Sequence, residues 1–170
     1  MSSSKVRKAI EEVEQYLSDN AERGPQPDTA ATAVIEHGLR CRIEAPDGSA
    51  IYTDMPASVG GSDTASSPGW HMRAALASCD ATLLAMRAAR LGLELDSIQV
   101  RVEASSDGRG MFLDEGVSPG SERMQLYFRI GAGNASTEQI ESLVEWVEQH
   151  SPVASDITRA VELCSELETV

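Results

Sequence analysis

Residues 68–86 read PGWHMRAALASCDATLLAM. Proline opens the stretch, where the first turn of a helix has no use for an N–H. Alanine, leucine and methionine fill most of the rest, and all three favour helix. Met72, Leu76, Cys79, Leu83 and Met86 recur at steps of four, three, four and three, which predicts one apolar stripe at helical spacing. Gly92 supplies a stop. The spacing therefore predicts a long, nearly buried central helix over residues 68–90, with Cys79 on its stripe.

Downstream, Ile98, Val100, Val102 and Ala104 alternate with polar residues, as do Met124, Leu126, Phe128 and Ile130. Each run predicts a strand with one buried face. The long polar connection between them, SSDGRGMFLDEGVSPGSER, is expected to cross the surface or reach a partner. Ser136 and Gln139 then form a capping box for a helix whose buried face is Ile140, Leu143, Val144 and Val147. Ser151-Pro152 restarts a short helix, with Ser151 as N-cap. The alternation Val161, Leu163, Ser165, Leu167 predicts a final strand with Cys164 on its polar face.

Upstream, residues 28–54 hold short β-prone runs broken by His37-Gly38 and Pro46-Asp47-Gly48, the pattern of antiparallel strands joined by tight turns. Leu39, Cys41 and Ile43 are expected on an apolar face, with Arg40 and Arg42 opposite. The Gly/Ser-rich segment 57–67 is expected to be a mobile loop. Residues 3–20 predict an amphipathic helix with Val6, Ile10, Val13 and Leu17 on one side and Ser3 or Ser4 as cap. Strands are bunched rather than alternating with helices. That order predicts an α+β fold, with helices covering one side of a mainly antiparallel sheet. The boundaries expected are an N-terminal helix and linker over 1–27 and a main domain over 28–170.

Bulk properties narrow the function. The formal net charge of -13 opposes binding to phosphate backbones and anionic lipid surfaces, so neither nucleic acid nor membrane is an expected partner. The N-terminal residues carry charge where a signal peptide needs an apolar core, and the run from Ala74 to Met86 is too short to span a bilayer. Cys41, Cys79 and Cys164 are odd in number and widely spaced, which points to free thiols in a reducing, cytoplasmic setting. His37, His71 and His150 form no metal-binding pattern, so no metal or cofactor is expected. No GxSxG elbow or phosphate-binding loop is present.

A cysteine on an apolar helical stripe is ordinarily a packing residue. A working thiol needs a cation or a helix N-terminus to stabilise its thiolate. Cys79 lies three turns from its helix start, so the cation would come from Arg40 or Arg42. His71 is roughly 12 Å away along the helix and is no direct partner.

The stretch SPGWHMRAALASCDATLLAMRAARLGLELDSIQVRVEA, together with HSPVASDITRAVEL, resembles the OsmC/Ohr family of osmotically inducible and organic hydroperoxide resistance proteins. Pro68 and Cys79 stand at the family's spacing, and the resemblance covers residues 28–168. It implies an OsmC-like fold with a long central helix, an intertwined homodimer, and Cys79 as the peroxide-attacking thiol. It assigns the thiolate's arginine to Arg40. The family's second cysteine falls on Ser151 and its arginine-orienting glutamate on Gly69, so both helpers are substituted here. The function implied is single-cysteine reduction of an organic hydroperoxide, a peroxiredoxin-like activity with an external thiol reductant. The alternative is a non-catalytic dimer that binds a small apolar ligand, with Trp70, Met72 and Met86 lining its pocket. A third reading leaves Cys79 a packing residue.

Overall fold

The helix expected from residue 68 runs from Pro68 to Leu91 (α2) in a computed structural model that describes residues 3–113 and 116–169. Gly92 terminates it with φ +76°, a backbone conformation that suits glycine. The Gly92 N–H donates to the Ala89 carbonyl (3.2 Å) and the Leu93 N–H to that of Ala88 (2.9 Å). These two bonds close the helix as a Schellman motif.

The chain forms two compact units. One comprises residues up to Lys8 together with those from Ala75 onward; the other is Ala9–Ala74. In the first unit, β4 (Ser97–Ser106) and β5 (Ser121–Gly131) pair antiparallel, with Ile98 opposite Ile130 and Val100 opposite Phe128. These four side chains pack against Leu84 and Ala88 of α2 and against Leu143 and Val147 of α4 (Thr137–His150). Two helices thus cover one face of a hairpin. Leu84 and Val147 are fully buried and Leu143 nearly so. Each such side chain contributes roughly 1.5–3 kcal/mol by leaving water. A four-residue turn of helix, α3 (Arg109–Phe112), lies in the long connection between the two strands. The capping box opens α4 as expected: the Gln139 N–H donates to Ser136 Oγ, and the Ser136 N–H to the Gln139 side chain.

The connections into β4 and into α4 are clamped together. Asn134 accepts the Glu94 N–H (2.9 Å) on its side chain and donates its own N–H to the Glu94 carbonyl (3.1 Å). Gly133, at φ +54°, makes this possible: a Cβ there would lie 1.9 Å from the Glu94 oxygen.

In the second unit, β1 (Thr32–His37), β2 (Arg40–Glu44) and β3 (Ala50–Thr53) form an antiparallel sheet in that order. The two turns fall where the sequence places them, with Gly38 and Gly48 at positive φ. The expected apolar face of β2 is not distinguished. Every residue of the strand is half-buried, Cys41 included, and Leu39 is exposed.

Three further expectations are corrected. The helix α1 (Ser3–Asp19) forms, and Val6 and Ile10 are half-buried, but Val13 and Leu17 are exposed, so only its first half is docked. Arg7 holds that half by donating to the Ala89 carbonyl (2.8 Å). Ser3 and Ser4 lie inside the helix, and the residue before them falls outside the described residues. The final strand over residues 161–167 is absent. After α5 (Pro152–Thr158) the described residues have no regular structure, and Leu163 and Leu167 are 93% and 90% exposed. Alternation makes a strand only where a neighbouring edge takes up the backbone hydrogen bonds. Among the described residues no strand pairs with this run.

Candidate active site

The face of α2 that is buried is not the one the sequence spacing selects. Met72 and Met86, at the ends of the expected stripe, are 39% and 38% exposed. The buried positions are Leu76, Asp80, Leu84 and Ala88, one every four residues, with Ala89 beside them. Cys79 sits half-buried at the edge of this face, and the next residue places a carboxyl group inside it.

Ser151 reaches Cys79 from the other side. It is both the C-cap of α4, donating its N–H to the Val147 carbonyl (2.9 Å), and the N-cap of α5, accepting the Ala154 N–H on Oγ (3.2 Å). Pro152 at the first helical position fixes the turn. The serine is 3% exposed, and its Oγ lies 3.7 Å from Cys79 Sγ. Two residues 72 apart in sequence are thereby brought into contact.

Asp80 completes the cluster and was not singled out from the sequence. It is 1% exposed. Burial pushes its carboxyl up from the ordinary value, and hydrogen bonding to Ser151 works against that rise. Its Oδ1 has no hydrogen-bond partner among the described residues. An acidic residue four positions from Leu76 and four from Leu84 was the available signal. It is the one charged position of the face those leucines define.

Arg40 belongs to the other unit and is firmly held there. Its Nη1 donates to Thr64 Oγ1 (2.7 Å), Nε pairs with Glu36 (3.4 Å), and the guanidinium lies 4.5 Å from the centre of the Tyr52 ring. The Thr64 hydroxyl in turn donates a hydrogen bond to Asp54 Oδ2 (2.7 Å). Asp54 also accepts backbone N–H groups from Met55 (2.8 Å), Ser62 (3.4 Å) and Thr64 (3.1 Å). The Thr64 hydroxyl leads these donors in holding the Asp54 carboxyl down at about 2, against the opposing effect of burial. The segment expected to be mobile is thus gathered around one buried carboxylate. Arg42 is engaged by the Tyr52 hydroxyl and pairs with Glu44, which together hold its charge.

Gly69 is the second residue of α2. The nearest atom to a Cβ built there is Arg73 Nη1 at 3.8 Å, so the position has room for a side chain. Arg40 is nonetheless oriented, through Glu36 and Thr64. Of the other two cysteines, half-buried Cys41 has its Sγ 3.8 Å from the Arg42 carbonyl, and the exposed Cys164 has its Sγ 3.7 Å from Glu162.

A cleft of about 700 Å³ opens beside the second half of α2, lined by Val6, Ala85, Met86, Leu93, Leu95 and Ile98 among others. Of the three residues proposed for an apolar pocket, Met86 lines it. Trp70 packs edge-on against His71, whose Nε2 lies 3.1 Å from the Tyr52 carbonyl. Among the described residues no helix is long and apolar enough to cross a membrane.

The family model described as OsmC-like protein matches residues 61–166. No curated protein matches the chain at a significant level. Among solved structures, an OsmC-like protein from Mycoplasma pneumoniae has 16% identity and a TM-score of 0.67, over 80% of this chain and 91% of that one. An organic hydroperoxide resistance protein OsmC from Legionella pneumophila has 19% identity and a TM-score of 0.58, over 78% and 90%. The organic hydroperoxide resistance protein OhrB of Bacillus subtilis has 20% identity and a TM-score of 0.52, over 79% and 92%. At these identities the likeness is one of fold.

Proposed function

Since the chain belongs to the OsmC-like protein family, we propose that it reduces organic hydroperoxides with Cys79 as its one redox thiol and an external thiol as reductant. The observation that carries this reading is the contact between Cys79 Sγ and Ser151 Oγ at 3.7 Å. A hydroxyl stands beside the sulfur where a second thiol would be needed to trap an oxidised intermediate.

The chemistry follows from that contact. The Cys79 thiolate attacks the peroxide O–O bond, sulfur is oxidised to the sulfenic acid, and an alcohol departs. Serine cannot condense with a sulfenic acid to give a disulfide. The oxidised sulfur therefore waits for a small external thiol, which forms a mixed disulfide and is displaced by a second equivalent. Arg40 supplies the cation in the role the family gives it, and the protein acts as a homodimer in a reducing compartment.

Consumption of cumene hydroperoxide with dithiothreitol as reductant tests the proposal. The wild type should consume peroxide and become labelled by a sulfenic-acid reagent at Cys79. Cys79→Ser should do neither, while Cys41→Ser and Cys164→Ser keep the activity. A wild type no faster than Cys79→Ser sinks the reading. Size-exclusion chromatography with light scattering checks the dimer.

A further inference from the structure

The reading above leaves the peroxide's departing oxygen without a proton source. An alkoxide is a poor leaving group, and the half-buried setting of Cys79 limits help from water. Three observations bear on this. Ser151 Oγ touches Cys79 Sγ at 3.7 Å. Asp80, a carboxyl group 1% exposed, is the residue next to Cys79, and the same hydroxyl works against the rise that burial gives it. Asp80 Oδ1 has no partner among the described residues, although the group lies in an otherwise apolar helix face. A buried carboxylate with an unsatisfied oxygen costs stability, and nothing in the packing of Leu76, Leu84 and Ala88 calls for one.

The donor and acceptor count at Ser151 fits a relay. Its oxygen already accepts the Ala154 N–H. A hydroxyl has one further acceptor site and one proton. The remaining site can take the Cys79 S–H while the proton goes to Asp80, and reversing the chain moves one proton from sulfur to carboxylate. We propose that Cys79 and Asp80 share a single proton through Ser151, and that the form with thiolate at Cys79 and neutral carboxyl at Asp80 is the one that reduces peroxide.

This inference rests on the hydroperoxide reading and gives its step a proton balance. The thiolate attacks the terminal peroxide oxygen, the S–O bond forms and the O–O bond breaks. Sulfur loses two electrons and the peroxide gains them. The proton held by Asp80 passes through Ser151 to the alkoxide, leaving the sulfenic acid, an alcohol and a carboxylate. Two equivalents of small thiol then return Cys79 to the thiol, releasing water and the reductant's disulfide, and the thiol's proton is the one the pair shares. Burial raises the affinity of Asp80 for its proton, against the effect of Ser151. Other titratable groups on the surrounding elements are committed elsewhere. Arg87 and His150 lie against the Trp146 ring, Asp156 pairs with Arg159, and Glu138 is bonded to Ser136. Arg73, Arg90, Glu141, Glu145 and Glu148 are the other charged residues of these helices, and His71 lies against the Tyr52 carbonyl.

The test compares pH profiles of wild type, Asp80→Asn and Ser151→Ala in two reactions. For cumene hydroperoxide consumption the wild type should give a bell, because the active pair carries one proton, neither two nor none. Both variants should fall by about a hundredfold at the wild-type optimum, the usual worth of a placed proton donor, and lose the alkaline descent. The double variant should be no slower than either single one. Iodoacetamide alkylation of Cys79, followed by mass spectrometry, needs no proton for its leaving iodide. It should titrate in two steps in the wild type and in one step in Asp80→Asn. A wild-type rate and an unchanged bell in Asp80→Asn overturn the shared proton. If the wild type consumes no peroxide beyond Cys79→Ser, the hydroperoxide reading fails. The alkylation profiles then still decide: two steps against one support the shared proton, and identical single steps overturn it.

Discussion

Ser151 caps one helix and touches the sulfur of another: its Oγ accepts the Ala154 N–H at 3.2 Å and lies 3.7 Å from Cys79 Sγ. A side chain chosen only for capping could point to solvent, as most caps do. This one is 3% exposed. Its contact with Cys79 makes it the natural place to restore a second thiol.

Ser151→Cys should therefore form an intramolecular disulfide with Cys79 when treated with one equivalent of organic hydroperoxide. Intact-mass analysis under non-reducing conditions should show the loss of two hydrogens, and peptide mapping should join the two segments. The price is the cap, about 0.5–2 kcal/mol of stability, visible as a lower urea midpoint in the reduced variant. Trapping of the oxidised sulfur only by added thiol, with no bond between these positions, would contradict the geometry.

Asp80→Asn should raise the melting temperature at pH 7. Burial lifts the Asp80 carboxyl above its ordinary 3.8, so the folded state holds the proton more tightly than the unfolded chain does. The stability this contributes is complete below about pH 4 and is lost as pH rises through the folded-state value. Asparagine carries no charge to bury, so its advantage should be present at pH 7 and vanish near pH 3. An equal or lower melting temperature at pH 7 would show that the carboxylate is better solvated than its burial indicates.

Asp54 has the opposite sign. Its carboxyl is held at about 2, led by the Thr64 hydroxyl. The stability it contributes is full above about pH 4 and lost as the pH falls toward 2. Asp54→Asn should destabilise the protein at neutral pH, and the difference from wild type should shrink in acid. Amide exchange should quicken at Ser62 and Thr64, whose N–H groups it accepts. Unchanged exchange at both sites would mean that the loop is held by something else.

Leu84→Ala should cost about 2–5 kcal/mol, because Leu84 is fully buried between α2 and the hairpin. Urea denaturation measures it. Leu163→Ala, at a residue 93% exposed, should leave the midpoint within about 0.5 kcal/mol of wild type.

The sequence discloses what local chemistry decides. Pro68 and Gly92 bound α2, the Ser136–Gln139 box opens α4, and Ser151-Pro152 starts α5, because caps act within a few residues. The alternation of β4 and β5 is equally plain. The buried face of α2 was misjudged for a physical reason. Alanines surround the helix, so steps of three and four fit two adjacent stripes, and the apolar rule prefers Cys79 over Asp80. The Asp54 cluster was hidden because its bonds join positions eight and ten residues apart through a loop of no period. The failed final strand shows the converse: its alternation is real, but a strand needs an edge that its own residues do not encode.

Gly133 gives the helix junction at Ser151 its address. With a side chain there, the Glu94 carbonyl would have to retreat, and Asn134 would lose both of its bonds to that residue. The start of α4 would shift, and a rigid helix carries such a shift undiminished to its far end, where Ser151 meets Cys79. The tolerance of the sulfur's environment is thus set some eighteen residues away, by a hydrogen atom standing where any other residue would put carbon.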